Sequence, residues 1–158
     1  MAKMLVVDSD KCTGCRSCET ACSMRVVGAF QPSESRIHAV ALRDGEYFTA
    51  VTCLQCGDPA CMRACPENAI IKTDAGVVLV IADRCTGCKA CVQACPFGAI
   101  TYSEILQAAS KCDLCGGTPA CASSCFFGAI ELLEDIDAAL RKKKAYAASL
   151  IEDEKEVD

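Results

Sequence analysis

Sixteen of the 158 residues are cysteines, and they fall into four groups of four. The first, Cys12, Cys15, Cys18 and Cys22, is spaced C-x2-C-x2-C-x3-C, and the third, Cys85, Cys88, Cys91 and Cys95, repeats that spacing. The second, Cys53, Cys56, Cys61 and Cys65, runs C-x2-C-x4-C-x3-C, and the fourth, Cys112, Cys115, Cys121 and Cys125, runs C-x2-C-x5-C-x3-C. No cysteine is left over. Thiolates at i, i+3 and i+6 wrap one loop around a compact centre and offer three ligands to three corners of an iron–sulfur cubane. The fourth cysteine lies where the chain is leaving that loop. It can point at a different centre, as it does in the bacterial C-x2-C-x2-C-x3-C-P run. Pro66 and Pro96 follow the fourth cysteine in motifs two and three, whereas Ser23 and Phe126 stand there in motifs one and four. Gly14 and Gly87 let backbone N–H groups approach sulfur, where such bonds help to set a reduction potential.

Two other uses of cysteine compete with this one. Structural zinc takes two C-x2-C pairs set apart and has no use for a third cysteine at +6. A disulfide framework belongs to secreted chains. Here the start, Met1 to Asp8, reaches an acidic residue before any apolar run develops, unlike a secretory leader. No stretch approaches the roughly 20 apolar residues that cross a bilayer. The expected location is therefore cytoplasmic, and all sixteen cysteines are expected to hold four [4Fe–4S] clusters. The remaining composition agrees: with no Trp, 3 Tyr and 5 Phe, something other than bulky side chains must occupy the middle. Four closed, all-cysteine sites leave no open iron for a substrate, and the chain has neither a P-loop nor a dinucleotide-binding glycine fingerprint. It reads as a non-catalytic electron carrier. The formal charge of −5 argues against a nucleic-acid partner. Sixteen thiolates and four oxidised cores at about +2 each would take it to roughly −13, which favours basic patches on partners.

The elements that must position these ligands are short. Asp10-Lys11-Cys12-Thr13-Gly14-Cys15 is echoed by Asp83-Arg84-Cys85-Thr86-Gly87-Cys88, and Pro59-Ala60-Cys61 by Pro119-Ala120-Cys121, so the chain carries an internal repeat. Ala-Ile follows motifs two, three and four, at Ala69-Ile70, Ala99-Ile100 and Ala129-Ile130. Apolar runs from Met4 to Val7 and from Val77 to Ile81 lead into the tight motifs and read as strands. Residues 36–52 alternate around Asp44-Gly45, a hairpin signal. From Glu131 to about Leu150, Leu132, Leu133, Ile136 and Leu140 fall on one helical stripe, ahead of an acidic end from Glu152 to Asp158. Arg141 to Lys144 reads as a solvated helix face, with docking to an acidic partner as the alternative. His38, the single histidine, reads as an ordinary strand residue. Lys72 and Lys111 could each raise a nearby cluster's potential or simply be solvated.

The segments Cys65-Pro66-Glu67-Asn68-Ala69-Ile70, Asp83 to Cys91 and Cys95-Pro96-Phe97-Gly98-Ala99-Ile100 resemble a bacterial two-cluster ferredoxin. From Asp10 to Ile130 the chain resembles the four-cluster electron-transfer subunits of the dimethyl sulfoxide reductase type, which serve molybdenum or tungsten oxidoreductases, formate dehydrogenases and some hydrogenases. Cys53-Leu54-Gln55-Cys56-Gly57-Asp58-Pro59 and Lys111-Cys112-Asp113-Leu114-Cys115 carry the likeness. In that family motif two pairs with three and motif one with four. The prolines after Cys65 and Cys95, and their absence after Cys22 and Cys125, fit that pairing. The resemblance then implies four ligand sets: Cys12, Cys15 and Cys18 with Cys125; Cys22 with Cys112, Cys115 and Cys121; Cys53, Cys56 and Cys61 with Cys95; and Cys65 with Cys85, Cys88 and Cys91.

The expected fold is α+β, two ferredoxin-like dicluster units with one nested within the other, and a C-terminal helix. The inner unit is expected at about 50–102, the outer at about 1–30 plus 108–130, and the helix and acidic tail at 131–158. The expected partner is a large catalytic subunit, a molybdenum or tungsten enzyme such as an aldehyde or formate oxidoreductase ahead of a hydrogenase, with a flavin- or quinone-linked subunit as a second redox partner in anaerobic metabolism. A free polyferredoxin shuttle is the alternative. An autonomous iron–sulfur enzyme or sensor would need a site lacking a cysteine.

Overall fold

The computed structural model describes residues 3–134. Its strands form four separate antiparallel ribbons of two strands each. β1 (Met4–Val7) pairs with β8 (Ile130–Leu133), so the two ends of the described chain meet. β2 (Ile37–Leu42) pairs with β3 (Tyr47–Thr52), β4 (Ile70–Lys72) with β5 (Val78–Val80), and β6 (Ile100–Ser103) with β7 (Ala108–Lys111). Both expected entry strands are present, as β1 and β5. So is the expected hairpin: the chain reverses between β2 and β3 through Asp44 and Gly45, at φ +54° and +96°. His38 sits in β2 opposite Val51.

Each cysteine motif carries one helix: α1 (Ser17–Val27), α2 (Ala60–Arg63), α3 (Ala90–Ala94) and α4 (Ala120–Ser123). The last three are a single turn, far too short to persist alone. Pro59 and Pro119 stand immediately ahead of α2 and α4, where a fixed φ pre-organises the turn. α1 continues beyond the fourth cysteine of its motif, and that explains why Ser23 replaces proline. A proline there would remove a helical hydrogen bond and clash with the preceding turn. Ser23 is fully buried, its hydroxyl donating to the Thr20 carbonyl at 3.0 Å and accepting from the Gln31 N–H at 3.3 Å. Nothing in the structure explains Phe126 at the matching position after α4.

The buried side chains form two main centres. One gathers Leu5, Ile37, Ala50, Leu114 and Ile130 with Cys18, Cys22, Cys53, Cys112 and Cys121. The other gathers Ile70, Val78, Ile100 and Ala109 with Cys91. Cysteine makes up half of the first, and Cys61, Cys65, Cys85 and Cys95 pack against the second, in keeping with a chain short of large apolar residues.

The expected C-terminal helix does not start at Glu131. Glu131 to Leu133 do not begin a helix; they complete β8, with Leu132 opposite Leu5 and Leu133 opposite Met4. Without β8 the buried strand β1 would carry unpaired N–H and C=O groups along its edge. The rest of the expected helix, with Ile136, Leu140 and Arg141 to Lys144, and the acidic end lie outside the described residues.

Candidate metal centres

Each motif begins with a loop whose backbone is forced into a left-handed turn just before the second cysteine: Gly14 (φ +68°), Gln55 (+50°), Gly87 (+72°) and Leu114 (+59°). That turn points successive N–H groups inward. In motif one the glycine is required for space as well as for φ, and in motif three the space around it is tight. A Cβ on Gly14 would lie 2.3 Å from Cδ1 of Phe48, and one on Gly87 would lie 3.2 Å from the Tyr102 ring. The two aromatic rings, from β3 and β6, therefore lie over the two C-T-G-C loops. Lys89 adds a cation over the Tyr102 ring, 4.6 Å from its centroid.

The sixteen cysteines line four cavities, four to each. Cys12, Cys15, Cys18 and Cys125 line one. Cys22, Cys112, Cys115 and Cys121 line a second. Cys53, Cys56, Cys61 and Cys95 line a third, and Cys65, Cys85, Cys88 and Cys91 a fourth. In every cavity three cysteines come from one motif and the fourth from another.

Backbone N–H groups reach the sulfurs. Ala69 N–H donates to Cys65 Sγ at 3.3 Å and Ala129 N–H to Cys125 Sγ at 3.2 Å. At two of its three places this gives the repeated Ala-Ile a physical reason. The alanine, almost wholly buried, turns its amide onto the cysteine four residues earlier, and the isoleucine starts the next strand in the core. Arg36 N–H donates to Cys22 Sγ at 3.3 Å, Ala109 N–H to Cys85 Sγ at 3.4 Å, and the amides of Gln55 and Leu114 to Cys53 and Cys112 at 3.5 Å.

Burial pushes the Cys18 and Cys112 thiols up to about 11 and Cys121 up to about 12; the sulfurs of Cys112, Cys22 and Cys115 add to burial at Cys121. Burial also raises Cys56, Cys61 and Cys91. Cys15 is exposed, and hydrogen bonding to Ser17 lowers its thiol instead. A few buried thiols would be an ordinary core, but sixteen cysteines arranged as four quartets, with amides aimed at several of the sulfurs, are a donor set for metal. Among the described residues, no three His, Cys, Asp or Glu side chains converge closely enough to hold a single ion. Four cysteines spread around each cavity, three of them from one motif, fit a multi-iron core.

Four residues near the cavities were not legible as site residues in the sequence. Gln55, buried, donates from Nε2 to the Cys112 carbonyl at 2.8 Å and accepts the Val78 N–H at 2.9 Å, joining motifs two and four. Arg36 bonds Ser110 at 3.0 Å and Asp113 at 2.8 Å across the cavity of Cys22. Burial works against the charged form of Asp113, but the Cys115 N–H and Arg36 more than offset it and hold this carboxyl below its usual range. Phe48 and Tyr102 complete the set. Lys72, by contrast, is exposed and clamps the motif-two loop through the Cys56 and Gly57 carbonyls.

Comparison with known proteins points to the same class of cofactor. The 4Fe–4S dicluster domain matches at residues 45–135, and a second 4Fe–4S dicluster domain at residues 11–70. The polyferredoxin-like subunit of an aliphatic sulfonate oxidoreductase of Pyrococcus furiosus is 39% identical over 85 residues, 53% of this chain and 49% of that one. A subunit of the anaerobic dimethyl sulfoxide reductase of Escherichia coli is 36% identical over 95 residues, 52% of this chain and 46% of that one. The electron transport protein HydN of Escherichia coli is 36% identical over 96 residues, 56% of this chain and 53% of that one. The chain thus matches about half the length of these curated relatives. The active-site complex BamBC of benzoyl coenzyme A reductase aligns over 98% of this chain and 97% of that one, at 20% identity and a TM-score of 0.48. Among the described residues no helix is long and apolar enough to cross a membrane. The chain belongs to the 4Fe–4S dicluster domain family, and its two dicluster regions carry four [4Fe–4S] clusters.

Proposed function

We propose that this chain is the non-catalytic electron-transfer subunit of a larger oxidoreductase, with its sixteen cysteines as the cluster ligands in four crossed sets. Those sets are Cys12, Cys15, Cys18 with Cys125; Cys22 with Cys112, Cys115, Cys121; Cys53, Cys56, Cys61 with Cys95; and Cys65 with Cys85, Cys88, Cys91. The observation that carries the reading is that each set lines one cavity and none of the sixteen is spare. The crossing makes one unit nested in the other, an inner one at about 50–102 and an outer one at about 1–30 plus 108–130. Two features support the nesting: β1 and β8 close the outer unit on itself, and one buried centre draws mainly on the inner unit, with Ile70, Val78, Cys91 and Ile100 joined only by Ala109 from beyond it.

When bound, each cluster takes up and gives back one electron. The chain's residues hold the sulfurs at fixed positions, direct amides onto them, and cover the loops with Phe48 and Tyr102. N–H groups donated to sulfur, together with burial, are the levers by which a protein sets cluster potential. Electrons pass singly between the active site of a catalytic partner and a second redox partner. The catalytic partner is a molybdenum or tungsten enzyme, an aldehyde or formate oxidoreductase ahead of a hydrogenase, and the second is flavin- or quinone-linked. The names of the relatives, subunits of a sulfonate oxidoreductase and of a dimethyl sulfoxide reductase, support such a partner. A cytoplasmic location accompanies this reading. The test is to compare the isolated chain with its complex. Alone it should be reduced by dithionite yet turn over no aldehyde, formate or hydrogen with viologen dyes. Robust turnover by the isolated chain would overturn the proposal, and purification without any stoichiometric partner would favour a free shuttle.

A further inference from the structure

Lys111 is the one lysine among the described residues whose side chain is drawn into the core, and it is only 3% exposed. It ends β7, directly before Cys112, and its side chain lines the neighbouring cavity of Cys53, Cys56, Cys61 and Cys95. Nζ donates to the Cys112 carbonyl at 2.8 Å and to the Val78 carbonyl. Both acceptors are neutral. A buried ammonium is costly unless negative charge lies close by. Here that charge is supplied by the sulfurs, which are anionic once they hold iron.

The internal repeat sharpens the point. Thr52 stands before Cys53 as Lys111 stands before Cys112, and each lines the other's cavity. Thr52 is neutral, its hydroxyl donating to the Arg36 carbonyl at 3.0 Å. Two cations line that second cavity: Arg36 is paired with Asp113 at 2.8 Å, and Arg25 is exposed, so that water screens its charge. One of the two central cavities therefore faces a cation neutralised by a carboxylate and another screened by water, and the other faces a buried cation held only by carbonyls.

We propose that Lys111 is an electrostatic positioning residue that makes the cluster of Cys53, Cys56, Cys61 and Cys95 easier to reduce than its pseudo-symmetric neighbour, so that electrons entering the chain collect there. An added electron makes a cluster more negative, and a fixed positive charge in a poorly screened interior stabilises that reduced form more than the oxidised one. The inference rests on the crossed-ligand reading above.

The test is an EPR-monitored redox titration of the full chain, with the signals assigned beforehand through Cys56→Ser and Cys115→Ser. In Lys111→Met, the Cys56-sensitive cluster should shift most to lower potential and the Cys115-sensitive one less, while the two remaining clusters stay in place. Lys111→Arg should keep the original order. The proposal is overturned if Lys111→Met retains all its iron and no potential moves, or if Lys111→Arg shifts as far as Lys111→Met. Should Lys111→Met fail to load, Lys111→Gln, which keeps a donor for the carbonyls, is read in the same way. Failure of both neutral variants to hold iron, with Lys111→Arg loading fully, would make the role purely structural and overturn the proposal. Failure of the crossed-ligand reading has a separate signature: Cys56→Ser and Cys115→Ser would not then mark two distinct clusters in the unmodified background.

Discussion

Replacing Gly14 by alanine separates the two things asked of that glycine. Its φ of +68° lies in the left-handed region, which costs an L-residue about 1–2 kcal/mol. The new methyl would also meet Phe48 at 2.3, 2.6 and 2.7 Å from three ring atoms, so the half-buried ring must move. Overpacking of that kind costs about 1–3 kcal/mol, for a total of about 2–5 kcal/mol. Gly87→Ala meets Tyr102 only at 3.2 Å and should cost less, about 1–3 kcal/mol. Gly28 has φ +71° and open space around a Cβ, so Gly28→Ala reports the conformational share alone, about 1–2 kcal/mol. Because metal loss makes unfolding other than two-state, the assay is bleaching of the visible cluster absorbance in guanidinium under argon with a chelator present. The denaturant midpoint should fall in the order Gly28→Ala, Gly87→Ala, Gly14→Ala, the last being lowest. Trimming the ring in Gly14→Ala/Phe48→Leu should recover the steric part and leave the φ part, which a double-mutant cycle separates. If Gly14→Ala and Gly28→Ala bleach at the same midpoint, the Phe48 ring does not cover the loop as described.

Three further outcomes follow from the same geometry. Protein purified without air should carry about sixteen iron and sixteen acid-labile sulfide per chain; stoichiometric zinc with little sulfide would refute the four-cluster assignment. Ser23→Pro should break α1 at a buried position, costing about 3 kcal/mol or more in a chelator-free melt of the holoprotein, whereas Phe126→Pro, at a 91% exposed site after α4, should be tolerated. The metal-free chain should be alkali-sensitive. Burial raises Cys18, Cys112 and Cys121 from 9 to about 11, 11 and 12, so the unfolded thiols ionise first as pH rises. Stability should be intact below pH 9 and lost between pH 9 and about 12, followed by circular dichroism. The loaded chain, its thiolates already ionised and ligated, should lack that loss, and equal alkali sensitivity of the two forms would contradict it.

What could be read from the sequence was whatever depends on local spacing. The loops, the entry strands β1 and β5 and the Asp44-Gly45 hairpin all follow from a few neighbouring residues. The Ala-Ile echo was visible, but its use, an amide turned onto Cys65 or Cys125, emerges only once the strand after it is placed. Phe48 and Tyr102 stayed hidden because the ring that covers each C-T-G-C loop comes from a strand later in the chain. Lys111 was ambiguous for a related reason: an isolated lysine reads as solvated until β7 turns it toward Val78. The end of β8 was misread because Leu132 and Leu133 satisfy a helical stripe with Ile136 and Leu140 equally well. The arbiter is β1, at the opposite end of the chain, whose edge must be paired.

Crossed ligation is the claim on which the rest depends, and Cys22 tests it most directly. Sequence order would hand Cys22 to the cluster of Cys53, Cys56 and Cys61, whereas the second cavity groups it with Cys112, Cys115 and Cys121. EPR-monitored potentiometry of Cys22→Ser, Cys115→Ser and Cys56→Ser distinguishes the two. Under crossed ligation, Cys22→Ser and Cys115→Ser perturb one common signal and leave the Cys56-sensitive signal unchanged. A common signal for Cys22→Ser and Cys56→Ser would contradict it.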